Sequence, residues 1–160
     1  MHVSTLASFA YVADRIVTGL LHPRSSVREE LVCAGRLGGY LCTARQDGIP
    51  LLVVSIGEPH VDKLPRYIEF CQEKARRLAK YPGDVLSLES RNPDLNRFGG
   101  AVRGEDYIAS FSGFPERLDE VVAALVLSTG DISFGEAIER LGDNPYVNAI
   151  GHRELASLVD

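Results

Sequence analysis

Ser112 is the residue of this chain whose type and position come closest to a catalytic nucleophile. It follows Ser110 and Phe111 and precedes Gly113, at a point where a strand is expected to turn into a helix. Such a turn would expose the hydroxyl, but the chain lacks the glycine two residues earlier that a nucleophile elbow requires. The same hydroxyl could instead tie down the turn. The sequence therefore leaves Ser112 open between a chemical and a structural role.

A second candidate group consists of Glu58, His60 and Asp62, which occupy alternate positions. Carboxylates and imidazole are ligands of divalent metals, and a lone histidine can serve as an axial ligand or a proton shuttle. Pro59 as a turn residue and Asp62 as a helix cap explain the same residues without a metal. We expect no metal site and keep His60 as a candidate ligand-binding residue.

The third candidate is a pair of glycines that begins a predicted strand. Glycine inside a strand costs stability and often marks a close approach of backbone or ligand. The following predicted strand carries two small hydroxyls on one face. These strands could line a shallow pocket beside the hairpin, or they could pack tightly beneath a helix. The residues predicted to bind a ligand are Gly99, Gly100, Arg103, Ser110, Ser112 and His60.

Other chemical motifs are missing from the sequence. No glycine-rich phosphate-binding motif follows a strand or opens a helix. The three cysteines, Cys33, Cys42 and Cys71, are odd in number and form no C-x-x-C pair, which is typical of a reducing compartment. Cys71 falls on an apolar helix stripe, so we expect it to be inert core.

The composition bounds the class of protein. The chain has 160 residues, 45% of them hydrophobic, and a net charge of -5. An acidic surface repels nucleic acid and anionic lipid, and no stretch is long and apolar enough for a membrane span, so we expect neither partner. Without a recognisable signal peptide, we expect a cytoplasmic protein.

The elements that must position the candidate residues can be predicted from periodicity. Apolar residues recur at helical spacing over 6–20, 64–78 and 118–126, and Ser26 with Glu29 and Ser133 with Glu136 form capping-box patterns. Asp47-Gly48 is a tight-turn pair between two strands, and the continuous apolar run 51–54 indicates a strand buried on both faces.

Three further strands are expected, at 85–88, 98–103 and 107–111. The predicted fold class is therefore α+β: a single domain, 1–160, with a central antiparallel five-stranded sheet flanked by helices. Residues 1–35 form N-terminal helices, 36–128 the sheet-and-helix core, and 129–160 the C-terminal helices.

The order of these motifs resembles the GlcG/HbpS-like family of small haem-binding-type proteins. The residues that carry the resemblance lie within 36–128: Lys74-Ala75 in a helix, Gly99-Gly100 in a strand, Ser110 to Gly113 at the end of a strand, and Asp119 early in a helix. The chain departs from the family pattern in having Ala101 where a proline is common. The resemblance implies a profilin-like fold, oligomers, and haem or corrinoid as possible cofactors.

Three functions follow from these observations. The first is a small-ligand-binding or sensory domain, possible ligands being haem, a corrinoid or another small cofactor. The second is a homo-oligomeric interaction scaffold without a ligand, in which the acidic C-terminal helices or a sheet edge contact a partner. The third is an enzyme that uses Ser112, His60 or a metal.

Overall fold

A computed structural model describes residues 3–160, which form one α+β domain. The first two residues of the predicted helical range 1–35 lie outside the described residues. The helices are α1 (Val3–Leu20), α2 (Arg28–Cys33), α3 (Leu64–Lys80), α4 (Glu116–Leu127), α5 (Phe134–Leu141), α6 (Pro145–Ile150) and α7 (His152–Val159). The strands are β1 (Gly38–Arg45), β2 (Pro50–Gly57), β3 (Ala101–Arg103) and β4 (Tyr107–Ser112).

The sheet is antiparallel, with the strand order β2-β1-β4-β3. The predicted hairpin around Asp47-Gly48 joins β1 to β2, and Gly48 adopts the positive φ of 86° that the turn requires. A bulge interrupts the β1–β2 register between Thr43 and Ala44. This order leaves β2 and β3 at the two edges.

The sheet has four strands among the described residues, so the predicted five-stranded sheet is wrong. The segment 85–88 makes an isolated bridge between Leu86 and Val102 and then enters the 3₁₀ helix Ser87–Ser90. The Glu89 carboxylate accepts hydrogen bonds from the backbone N–H groups of Val85, at 2.7 Å, and Leu86, at 3.1 Å. Because these donors are taken by a side chain, the segment cannot extend a strand ladder.

The prediction that β2 is buried on both faces is also wrong. Residues 51–54 are half-buried, and β2 lies at the edge of the sheet. Helix α1 packs against one face of β2. In this protein the continuous apolar run therefore belongs to a strand at the edge of the sheet and not to a strand at its centre.

The helices cover both faces of the sheet in three layers. The larger apolar core joins α1 and α4 to one face of the sheet, with Phe9, Ile16 and Leu125 among its fully buried side chains. A smaller core lies between the other face and α3, and it contains Cys71 and Leu78, as the helical stripe predicted. Ser110 and Ser112 belong to the strand face that α3 covers, since Ala109 and Phe111 point into the larger core.

One of the predicted helix caps is observed and two are not. Ser133 and Glu136 form the expected capping box, with hydrogen bonds of 2.7 and 3.1 Å. Helix α2 has no side-chain cap; Ser26 donates to Glu154 on α7 instead. His60, and not Asp62, caps the 3₁₀ helix Val61–Lys63 by accepting from the Asp62 N–H.

Over the described residues, no helix combines the length and apolarity needed to cross a bilayer.

Candidate functional site

Charged and aromatic side chains line a cleft of about 430 Å³ where the start of α3 faces the junction of β4 and α4. Helix α3 contributes basic and aromatic side chains from its first three turns. The β4–α4 junction contributes backbone and polar groups. The lining residues are Arg36, Lys63, Arg66, Tyr67, Phe70, Lys74, Arg91, Phe98, Ser112, Gly113, Phe114, Pro115, Glu116 and Asp119.

A buried ion pair between Lys74 and Asp119 forms the floor of the cleft. The Lys74 Nζ lies 3.1 Å from the Asp119 Oδ2, and both side chains are only 3% exposed. The same Nζ donates to the Phe111 carbonyl at 2.8 Å, and the Asp119 Oδ1 accepts from the Phe114 N–H at 2.9 Å. Burial raises the pKa of Asp119 to about 6, and the charge of Lys74 opposes that rise. One amine thus joins α3, β4 and α4.

Gly100 lies against this ion pair, which explains the glycine pair in the sequence. Its φ is 122°, and a Cβ at this position would lie 2.6 Å from the Lys74 Nζ and 2.9 Å from the Asp119 Cβ. Gly99 donates its N–H to the Glu116 carboxylate at 2.8 Å. The glycines therefore allow the chain to pass close to charged side chains at the floor of the cleft.

Ser112 lines the cleft and carries a buried hydroxyl. The residue is 2% exposed, and its Oγ has no hydrogen-bond partner among the described residues. An unsatisfied buried polar group costs about 1–3 kcal/mol of folding free energy. The Oγ of Ser110, two residues earlier on the same strand face, is also unpartnered within residues 3–160 but does not line the cleft.

The cleft is cationic although the chain as a whole is acidic. Five basic side chains line it against the two carboxylates of Glu116 and Asp119. Arg91 pairs with Glu116 at 2.5 Å, and Lys74 pairs with Asp119. The other three basic side chains make no ion pair with a described residue. These three are Arg36, Lys63 and Arg66.

Aromatic rings provide the apolar part of the wall. The Phe70 and Phe98 rings lie 5.5 Å apart in a tilted arrangement, and the Arg66 guanidinium lies 5.5 Å from the Phe70 centroid. Tyr67 and Phe114 add two more rings. A surface that combines rings with unpaired guanidinium groups suits a ligand with an anionic group and a flat apolar part.

The six predicted ligand-binding residues do not form one site. Ser112 lines the cleft. Gly99 and Gly100 do not line it, but Gly100 packs against the ion pair that forms its floor. Arg103 lies at the other end of α3, where its guanidinium donates to the carbonyls of Leu78 and Tyr81. Ser110 lies beneath α3, outside the cleft lining. 

His60 is exposed in the turn before α3 and is not among the residues that line the cleft. The structure therefore does not bring it together with Ser112, and a serine–histidine pair is not formed. Its Nδ1 lies 3.7 Å from the Asp62 carboxylate. No group of three histidine, cysteine or carboxylate side chains suited to a metal ion occurs in residues 3–160.

The basic and aromatic residues of the cleft were not predicted from the sequence as site residues. Lys74 carried a usable indication, because it falls between Cys71 and Ala75 on the apolar stripe of α3, where a charge needs a buried partner. That the partner is Asp119 depends on where the fold places the first turns of α4, at the end of β4, relative to α3. Arg36, Arg66 and Phe70 come together only through the tertiary fold.

Gly38 and Gly39, at the start of β1, allow close packing of the backbone. A Cβ on Gly113 would lie 2.6 Å from the Gly39 Cα, so β1 passes directly against the β4–α4 junction. This contact sets the position of the first turn of α4 beside the cleft.

Comparison with known proteins yields one distant structural neighbour to report. No protein-family model matches the chain, and no curated protein matches it. The crystal structure of the Klebsiella pneumoniae protein ORFY, a DUF336 protein, is similar with a TM-score of 0.45 and 14% identity, covering 80% of this chain and 88% of that one. DUF336 corresponds to the GlcG-like fold. So low a similarity carries no argument about function, and membership of that family remains a resemblance.

Proposed function

We propose that this chain is a binding domain for a small anionic ligand that also has an apolar or aromatic part. The observation that carries the proposal is the Ser112 hydroxyl, which is buried without a partner among the described residues in a cleft lined by unpaired basic side chains. A ligand oxygen would satisfy that hydroxyl and recover part of its desolvation cost.

The charges of the cleft favour an anion. Arg36, Lys63 and Arg66 are lining cations without a described carboxylate partner. Arg36 donates to the Gly113 carbonyl at 3.2 Å, which directs its guanidinium towards the β4–α4 junction. A carboxylate or sulfonate placed there can accept charge-assisted hydrogen bonds, which are about twice as strong as neutral ones.

The size and walls of the cleft favour an apolar group attached to the anion. A volume of about 430 Å³ is within the range of roughly 300–1,000 Å³ that small-ligand sites occupy. The rings of Phe70 and Phe98 can contact a flat ligand, and the floor ion pair is too deeply buried to compete for it.

Haem and corrinoid are the cofactors implied by the resemblance, and the chemistry of haem can be compared with the residues that line the cleft. Haem has anionic propionates and an apolar ring, which suit the cations and the aromatic wall. Histidine, cysteine and methionine do not occur among the described lining residues. Tyrosine, which also ligates haem iron, occurs once, as Tyr67, and burial raises its pKa, which disfavours the phenolate that would bind iron. Ligation of iron is therefore not part of the proposal.

The experiment compares two serine variants in ligand titrations. The probe is 8-anilinonaphthalene-1-sulfonate, an aromatic anion whose fluorescence rises on binding, followed by haem, a corrinoid and a flavin. Ser112→Ala is expected to weaken binding about tenfold, the equivalent of one lost hydrogen bond. Ser110→Ala removes an equally buried hydroxyl from the same strand face outside the lining, and is expected to bind as the unmodified chain does.

Two results would contradict the proposal. One is that the unmodified chain binds none of these anions and that native mass spectrometry finds no ligand on the protein as purified. The other is that Ser112→Ala and Ser110→Ala bind the probe equally, which would place the binding surface elsewhere.

A further inference from the structure

The outer edge of β2 is an exposed strand that carries no charged side chain. Edge strands of natural proteins are generally short or carry charges, because their free N–H and C=O groups can pair with another chain. β2 has eight residues, Pro50–Gly57, and none of them is charged. Within residues 3–160, only β1 pairs with it.

The register shows which backbone groups of β2 face outwards. Glu58 donates its N–H to the Leu37 carbonyl at 3.0 Å, and Gly38 is opposite Gly57. In an antiparallel ladder this makes Gly38–Gly57 a pair that exchanges no hydrogen bonds, and such pairs alternate with bonded ones. Ser55 and Val53, at steps of two, therefore also direct their N–H and C=O groups away from β1.

We propose that two copies of this chain form a twofold dimer in which β2 pairs antiparallel with the same strand of the partner. With Val54 opposite the partner subunit's Val54, each Val53 is opposite a Ser55, and the two pairs exchange four backbone hydrogen bonds. On the face that α1 covers, Leu52 is then opposite the partner's Ile56. The eight strands form one continuous sheet.

The side chains at this edge suit a second copy of the same chain. Residues 51–54 are half-buried apolar side chains, and Val54 opposite its own counterpart makes an aliphatic cross-strand pair. An arrangement centred on Val53 would instead require pairing by Leu51, the extra residue at the bulge in the β1–β2 register. The centre at Val54 avoids the bulge.

The charges flanking β2 are complementary under the same twofold axis. Glu58 lies just beyond one end of the strand, and Arg45 lies on β1 beside the other end. Strand alternation places the Arg45 side chain on the face that α1 covers, the same face as Leu41. The axis brings Glu58 beside Pro50 of the partner subunit. Pro50 is opposite Ala44 of its own β1, and Arg45 is the next residue of that strand. The Arg45 guanidinium is exposed and also contacts Asp47.

Sedimentation velocity of the full chain tests the dimer. We expect the unmodified protein to sediment with twice its chain mass of 17.5 kDa, and Ser55→Pro to sediment at the chain mass. Proline at 55 removes an outward N–H that the ladder with β1 does not use, so the chain is expected to stay folded. Ser55→Thr keeps the N–H and is the matched control, expected to remain a dimer.

Hydrogen exchange and a charge exchange make the test specific for this register. The amides of Val53 and Ser55 are expected to exchange slowly in the unmodified dimer, and that of Val53 to become fast in Ser55→Pro. Arg45→Glu is expected to weaken the dimer, and Arg45→Glu combined with Glu58→Arg to restore it. If Ser55→Pro does not fold, the comparison of Arg45→Glu with the double variant tests the dimer instead.

The proposal is overturned if the unmodified chain sediments at 17.5 kDa at high concentration, because β2 then has no second copy as its partner. It is equally overturned if folded Ser55→Pro remains a dimer. The ligand-binding proposal does not depend on either result, since none of these residues lines the cleft.

Discussion

Replacing Gly100 by alanine is the sharpest test of how the floor of the cleft is built. The residue has a φ of 122°, a conformation that L-amino acids rarely adopt. A Cβ would lie 2.6 Å from the Lys74 Nζ and 2.9 Å from both the Asp119 Cβ and the Phe111 carbonyl oxygen. Since the last two atoms belong to packed elements, the new methyl group cannot be accommodated by moving one flexible side chain.

The magnitude follows from two costs. A non-glycine residue held in a strained backbone conformation costs about 1–3 kcal/mol, and an extra methyl group in a close-packed region costs about 1–3 kcal/mol. Gly100→Ala should therefore lower the free energy of unfolding by about 2–6 kcal/mol, a large share of the roughly 5–15 kcal/mol that holds a domain folded. In urea, a loss of about 4 kcal/mol moves the unfolding midpoint by about 2 M.

Two other glycines provide controls for the urea titrations. Gly83 has open space at its Cβ position and no positive φ, so Gly83→Ala should stay within about 0.5 kcal/mol of the unmodified chain. A Cβ on Gly99 would lie 3.1 Å from the Glu120 Oε2 and the Leu88 Cδ1, so Gly99→Ala should fall between the other two. If Gly100→Ala and Gly83→Ala unfold at the same midpoint, the described floor is wrong.

Three further predictions concern charge and capping. Burial raises the pKa of Asp119 to about 6 and that of Glu120 to about 7, so ionising each carboxyl in the folded state costs up to about 3 kcal/mol. The free energy of unfolding should therefore fall from pH 4 to about pH 7, and Glu120→Gln should reduce this fall. Urea titrations that show no fall would contradict the burial of these carboxyls. Arg66→Ala should weaken binding of the sulfonate probe severalfold in fluorescence titrations, whereas Arg76→Ala, on the same helix outside the cleft, should not; equal affinities would exclude Arg66 from the site. Ser133→Ala should lower the free energy of unfolding by about 1 kcal/mol through loss of the helix cap, and an unchanged urea midpoint would show that the cap contributes nothing.

The helices and the hairpin could be predicted because their determinants are local. The apolar stripe of α3, the Asp47-Gly48 turn and the Ser133–Glu136 capping box each lie within one element or turn. The fifth strand failed for a local reason as well. Glu89 takes the N–H groups of Val85 and Leu86, a side-chain competition that an apolar pattern does not reveal.

The candidate site was predicted only in part, because most of its determinants are not local. Ser112 and the glycine pair stood out by their position and type. Lys74 and Asp119 are far apart in sequence, and their pairing requires α3 and α4 to meet at the end of β4. The apolar run of β2 likewise gives no indication that this strand lies at the edge of the sheet.

Because Lys74 binds residues far away in the sequence, we expect the cleft to form late in folding. The bonds of Lys74 to Phe111 and Asp119 close loops of 37 and 45 residues. Contacts that close loops of this length form after hairpins and helices, because the chain entropy must be lost before they contribute. The hairpin of β1 and β2 can thus form early, while its neighbour β4 and the cleft await the rest of the chain. A ligand that needs the completed floor will therefore bind fully folded molecules and ignore partly folded ones.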